Sequence, residues 1–241
     1  MKILWATLLG VFLSTAVWAA NWRTVDTRAF NVPATYEDSL PHLVQYLTEP
    51  YAGDEEKKAR VILAWIVSHI DYDNYKAQTA LIPVLRYSFP TGDGGGDIFD
   101  TRVGLCGDIA DLYQRMAGLA GLDTVVVEGI AGYNLKRTDI EKQRHAWNAV
   151  KINGKWQLVD PTWSMRGDYK VFSDIRTEAR HELEIKRREQ NPIKTKKARP
   201  NRSVNDRWFL TDPKEMVETH LPNNSRWQLL PVPKSISTFL K

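Results

Sequence analysis

Apolar residues recur at helical spacing in two stretches of the chain. Between Asp54 and Ile70, Val61, Ala64, Trp65 and Ser68 share one face, and Ile62, Ile66 and Ile70 broaden it. The acidic start of this stretch (Asp54, Glu55, Glu56) complements the dipole of a helix, and IDYDNY is a polar stop. From Thr101 to Gly121, Ile109, Leu112, Met116 and Leu119 follow i, i+3, i+7, i+10, which predicts a second buried helix starting at or just after Cys106. Elsewhere the period changes. Asp123–Gly129, with three consecutive valines, reads as a strand. Residues 20–50 read as an irregular lead-in broken by Pro33 and Pro41, with a short helix at Leu40–Leu47, and residues 132–144 as a polar surface connection. Residues 88–100, SFPTGDGGGDIFD, read as a flexible loop leading to the cysteine; no Gly-Lys-Ser/Thr follows, so this is not a phosphate-binding loop.

The most informative local signal is Asn153-Gly154, inside HAWNAVKINGKWQLVDPTW, which predicts a two-residue hairpin turn. Ile152 then pairs with Lys155, Trp147 faces Asp160, and His145 faces Thr162. With a side-chain period of two, His145 and Asp160 become diagonal neighbours on one face, about 7–8 Å apart and within reach of an imidazole–carboxylate hydrogen bond. A slip of one residue would place them on opposite faces.

The N-terminus adds a compartment. Lys2, the short apolar run Ile3–Trp18, and Val17 and Ala19 at −3 and −1 match a cleavable signal peptide over residues 1–19, with Ala20/Asn21 as the alternative cut. Residues 20–241 then form a single exported domain, secreted or periplasmic and not membrane-spanning once processed. Within it, 164–205 is a charged insertion, basic in its second half, and 206–241 is a tail in which Asp212-Pro213 starts a short helix and Trp227 and Leu229 fold back on the core. The insertion reads either as a solvated loop or as a site for an acidic envelope polymer or phospholipid headgroups. A net charge of +4 does not argue for a nucleic-acid partner. Nine tryptophans suit a core and the lining of a groove.

One cysteine in an oxidising compartment has no internal disulfide partner, so Cys106 is deeply buried, paired with another molecule, or a thiol kept for chemistry. A helix N-terminus favours an anion and lowers thiol pKa values. His145 would raise the thiolate fraction, Asp160 would orient His145, and the Cys106 N–H at the helix start could stabilise an oxyanion. Trp65 or Tyr72 could supply a second donor. Asp108 and Asp111, in the first turn, would oppose the thiolate. His69 reads as a core or cap histidine, His181 as exposed, and His220 as structural. No Cys/His spacing matches a zinc site, and no cofactor is called for.

These residues resemble the transglutaminase-like superfamily. GLCGDIADLYQRMAGLAGLDTVVVEG, then HAWNAVKINGKWQLVDPTW, look like its core, and WIVSHIDYD like the helix end before it. The tail WFLTDPKEMVETHLPNNSRWQLL resembles the kyphoscoliosis-peptidase-like and cytokinesis-protein branch. The resemblance implies an α+β, papain-like fold with a cysteine helix packed on an antiparallel sheet, and a triad of Cys106, His145 and Asp160. It further implies an exported cysteine hydrolase or acyl-transferase acting on amide bonds of a protein or peptide substrate, of the cell envelope if the export reading holds. The rival expectation is a catalytically inactive envelope binding module on the same fold. The calcium sites and extra β-domains of animal transglutaminases are not legible in the chain.

Overall fold

A five-stranded antiparallel sheet separates two hydrophobic clusters in the computed structural model, which describes residues 22–73, 97–165 and 202–240. Across the sheet the order is β6 (Phe209–Thr211), β5 (Lys155–Val159), β4 (Arg144–Ile152), β3 (Thr124–Ala131) and β7 (His220–Pro222). Val150, Ile152 and Val159 face the helices, while Trp147, Ala149 and Leu158 face the C-terminal tail. The period of two sorts them. The fold is therefore α+β, with helices on one face of an antiparallel sheet, as expected.

The long helix, Glu55–His69, begins where Asp54 accepts the Lys57 N–H at 3.0 Å and is buried at every residue from Ala59 to His69. Burial on all sides explains the breadth of its apolar pattern. It also requires a partner for Arg60, whose guanidinium is clamped by Asp26 (2.8 and 2.7 Å) and Asp206 (2.7 Å). That clamp draws in the N-terminal segment. Residues 22–30 are helical, with Trp22, Val25 and Ala29 buried, rather than the irregular lead-in expected. Three apolar positions are too few to announce a helix; the contact with Arg60 stabilises it. The helix Leu40–Thr48 forms where expected, capped by Ser39.

The cysteine helix is Cys106–Leu119, with Ile109, Leu112 and Met116 buried. Leu119 departs from the pattern: it is 51% exposed, because nothing covers that side of the last turn. Asp97 caps a short helix, Ile98–Thr101, so the end of the expected loop is ordered; residues 88–96 lie outside the described residues. Two short strands, β1 (Asp71–Tyr72) and β2 (Val103–Gly104), pair in parallel and bring the end of the long helix to the start of the cysteine helix.

The hairpin forms in the expected register. Asn153 (φ 49°) and Gly154 (φ 77°) are both left-handed, as a type I′ turn requires, and Ile152 pairs with Lys155. The ladder runs to Asn148–Val159 and stops there. Asp160 donates its N–H to the Trp208 carbonyl (2.9 Å), and Pro161 has none to offer. The expected pairings of Trp147 with Asp160 and of His145 with Thr162 are absent; on the opposite edge of β4, His145 pairs with Gly129 of β3.

On the far side of β3, Gly129 admits β7. A Cβ there would lie 2.2 Å from the Leu221 carbonyl oxygen and 2.8 Å from the Trp147 ring. The edges of the charged stretch 164–205 belong to the packed domain: Met165 bridges Val204, and Arg202 bonds the Val67 carbonyl (3.2 Å) and pairs with Asp71 (2.5 Å). Its middle, with His181, lies outside the described residues, as do residues 1–21. Pro213–Met216 is a short helix capped by Asp212, and Trp227 and Leu229 pack on the second cluster. Among the described residues, no helix is long and apolar enough to cross a membrane.

Candidate active site

The chain approaches Cys106 through a constriction. A Cβ at Gly104 would meet the Ile98 side chain at 2.5 Å and Asp108 Cβ at 2.9 Å, so only glycine fits two residues before the cysteine. Asp108 accepts the Leu105 N–H at 2.8 Å, which satisfies an orphan donor ahead of the helix. Asp111 pairs with Arg115 at 3.6 Å. Both acidic residues thus have structural work. Cys106 is half-buried at the first helical position, where its N–H has no intrahelical acceptor.

The structure brings Cys106, His145 and Asp160 together. Asp160 is fully buried, and its Oδ2 bonds His145 Nε2 at 2.7 Å. The nitrogen left to face the sulfur is Nδ1, and the Cys106 thiolate accepts hydrogen bonds from the His145 ring and from the Ala146 N–H. Burial pushes the thiol pKa up, but the hydrogen bond and charge of His145, with the Ala146 N–H, outweigh it and hold the thiol below its ordinary value. Burial acts on His145 in the opposite sense, toward the neutral ring. The Asp160 charge and hydrogen bond, joined by Cys106, dominate and raise its pKa well above the usual range. Asp160 stays ionised despite burial, chiefly through the His145 charge. These shifts run in the direction that favours an imidazolium between the Cys106 sulfur and the Asp160 carboxylate.

A second cluster anchors this arrangement. Asn148, fully buried in β4, donates from Nδ2 to the Ala110 carbonyl (2.9 Å) in the cysteine helix and to the Val125 carbonyl (3.3 Å) in β3. It therefore locks the strand carrying His145 to the helix carrying Cys106. The sequence model of the transglutaminase-like superfamily matches residues 41–161, a span that contains all of these residues. The chain belongs to the transglutaminase-like superfamily.

Among similar proteins, mouse kyphoscoliosis peptidase is 31% identical over 85% of this chain, and fruit-fly hillarin is 29% identical over 91% of it. The chain spans about a quarter of the length of these relatives (26% and 24%). A solved structure titled as a TGase overlaps 70% of this chain and 42% of its own, at 18% identity and a TM-score of 0.42.

Of the two residues considered as a second oxyanion donor, Trp65 is in the core. It stacks on His69 (4.9 Å) under the Arg102 guanidinium (4.4 Å). Tyr72 lies within electrostatic reach of Cys106; burial first, then the Cys106 charge, raises its pKa, so its hydroxyl keeps its proton and can donate. His69 is buried and bonds the Trp65 carbonyl, the core role expected.

His220 has a partner that sequence reasoning did not foresee. Expected to be structural, it reaches Asp160 Oδ2 with its Nε2 at 2.9 Å, from 60 residues away. The one available signal was its place in the tail that carries the resemblance. His145, Asp160 and His220 offer ligand atoms within 4.8 Å of one another, a spacing that could hold a metal ion. Yet both imidazoles aim at the same carboxylate oxygen rather than at a shared vacant point, so a metal would have to displace both hydrogen bonds.

Proposed function

We propose that this transglutaminase-like domain is a cysteine acyl-transfer enzyme acting on amide bonds, with Cys106 as nucleophile, His145 as acid–base and Asp160 as the group that orients His145. The observation that carries this reading is the hydrogen-bonded chain from Cys106 through His145 to a buried, ionised Asp160. Cys106 Sγ attacks the amide carbonyl carbon. The oxyanion is stabilised by the Cys106 N–H, with the Tyr72 hydroxyl as the available second donor. His145 gives its proton to the departing amine as the C–N bond breaks, leaving a thioester. Water then attacks, giving its proton to His145, and the C–S bond breaks to release acid and thiolate. An amine attacking in place of water would give the transglutaminase product. Hydrolysis is the favoured outcome: amine transfer requires exclusion of water at 55 M, and the relatives in mouse and human carry the name peptidase. Export through residues 1–19 belongs to the same proposal. N-terminal sequencing of the protein from a secreting host should begin at Ala20.

The test is turnover of glutamine-containing peptides with and without a fluorescent primary amine. Chain cleavage or ammonia release, with little amine incorporated and none of it in Cys106→Ala, is the expected result. Absence of all three, together with ordinary thiol reactivity at Cys106, would leave the fold as a binding module and overturn the proposal.

A further inference from the structure

Asp160 has more donors than a triad needs. Its Oδ1 accepts the Trp163 N–H at 2.9 Å, and its Oδ2 accepts both His145 Nε2 (2.7 Å) and His220 Nε2 (2.9 Å). A carboxylate only accepts, so His220 must carry its proton on Nε2. Nδ1 lies 2.8 Å from the Thr219 hydroxyl, which then donates to it in preference to the more distant Met216 carbonyl at 3.4 Å; that carbonyl also lies within reach of the His220 ring. His220 is walled by Trp163 (4.5 Å), Trp147 (5.1 Å) and Trp208 (5.2 Å). Burial, then the nearby positive charge of His145 set against the pull of Asp160, keeps the ring neutral. One negative charge thus serves one cation, His145, while the second imidazole contributes a dipole and a fixed direction.

We propose that His220 is a positioning residue for the Cys106–His145 pair, acting through Asp160. A carboxylate held by one imidazole alone can turn about its Cβ–Cγ bond. Two N–H groups converging on one oxygen, with a backbone N–H on the other, leave one orientation, and that orientation aims His145 Nδ1 at the sulfur. β7 supplies this contact because Gly129 lets it pair closely with β3. The inference rests on the function proposed above.

The test compares two substitutions that keep an amide at position 220. In His220→Asn the amide occupies the place of Nδ1, keeping Thr219 but falling short of Asp160. In His220→Gln it reaches the place of Nε2. The readout is the alkylation rate of Cys106 by iodoacetamide in the full chain, from pH 5 to 8. We expect His220→Asn to be about tenfold slower than wild type at pH 6, and His220→Gln to stay within about twofold. Equal losses in both, or no loss in either, would overturn the proposal by making His220 merely a packing residue. Should His220→Asn not fold, two-bond proton–nitrogen NMR on the wild type decides: an Nε2–H tautomer at neutral pH is required, and an Nδ1–H tautomer overturns it. The proposed function fails separately, if wild-type Cys106 itself shows no reactivity at low pH that depends on His145.

Discussion

Replacing His145 with alanine should convert Cys106 from an ion-paired thiolate into an ordinary buried thiol, and the size of the change follows from the site. Without the imidazole, Cys106 retains the burial and the Asp160 charge that oppose ionisation. Its pKa then lies no lower than the ordinary value of about 8.5, so at pH 6 at most about 0.3% is thiolate. A fully formed ion pair is thiolate throughout, a difference of about 300-fold. Nucleophilicity falls as thiol pKa falls, with a Brønsted coefficient of about 0.4–0.5, which returns part of that gain. The net expectation is alkylation about ten- to thirtyfold faster in wild type at pH 6. The slope is more telling than the ratio. Between pH 5 and 8 the His145→Ala rate should rise about tenfold per pH unit, while the wild-type rate should rise less steeply and level off at lower pH. Intact-mass spectrometry suffices as the assay, because the chain has 1 cysteine. Equal slopes and equal rates in the two proteins would refute the reasoning from geometry to ion pair.

Asp160→Asn should keep the side-chain volume but remove the charge that raises the His145 pKa, and turnover should fall by about 10²–10⁴-fold; the melting temperature should fall too, because the amide nitrogen cannot accept the N–H donors that the two buried carboxylate oxygens hold. Gly129→Ala should destabilise the domain by about 3 kcal/mol or more in urea unfolding, since its Cβ would meet backbone that carries β7. Arg60→Ala should cost about 3 kcal/mol: it leaves the half-buried Asp26 without its counter-charge and removes a fully buried side chain, and the pairing with Asp206 is discounted because that side chain is exposed. For pH, two histidines act with opposite sign. His69 is held down to about 3 by burial and by the nearby Arg102 charge. Below the unfolded value of about 6.5 the unfolded chain binds a proton at His69 that the folded chain does not, so stability falls as pH drops from about 6.5 toward 3. His145, whose folded pKa is raised, contributes stability that is full below about 6.5 and is lost as pH rises through its folded pKa. Urea midpoints across pH should therefore peak near pH 6–7, and His69→Gln should flatten the acid side alone.

Much of the site could be read from local chemistry. The Asn-Gly turn sets the β4–β5 register, and the register sets His145 and Asp160 on one face. The helical period placed Cys106 at a helix start. What could not be read was whatever depends on contacts distant in the chain. Residues 22–30 became helical through Arg60, and the β4–β5 ladder ended short of His145 and Thr162, with the Asp160 N–H bonded to the Trp208 carbonyl. Asp108, expected to oppose the thiolate, accepts the Leu105 N–H ahead of the cysteine helix.

The sequence by itself determined the two long helices, the β3 strand, the hairpin register, the family and the three side chains on which the proposed chemistry rests. The helices, the strand and the register follow from periodicity or turn geometry within a few residues, where the chain has little freedom to do otherwise; the family follows from the resemblance of its motifs. Tertiary structure alone decided which charges are neutralised and where. It placed His220 on Asp160 by pairing β7 with β3, removed Trp65 from consideration by burying it under Arg102, and set the thiol and imidazole pKa values in opposite directions. The physical reason is that electrostatics and burial depend on what surrounds a group in space, and neighbours 60 residues apart leave no local period in the sequence.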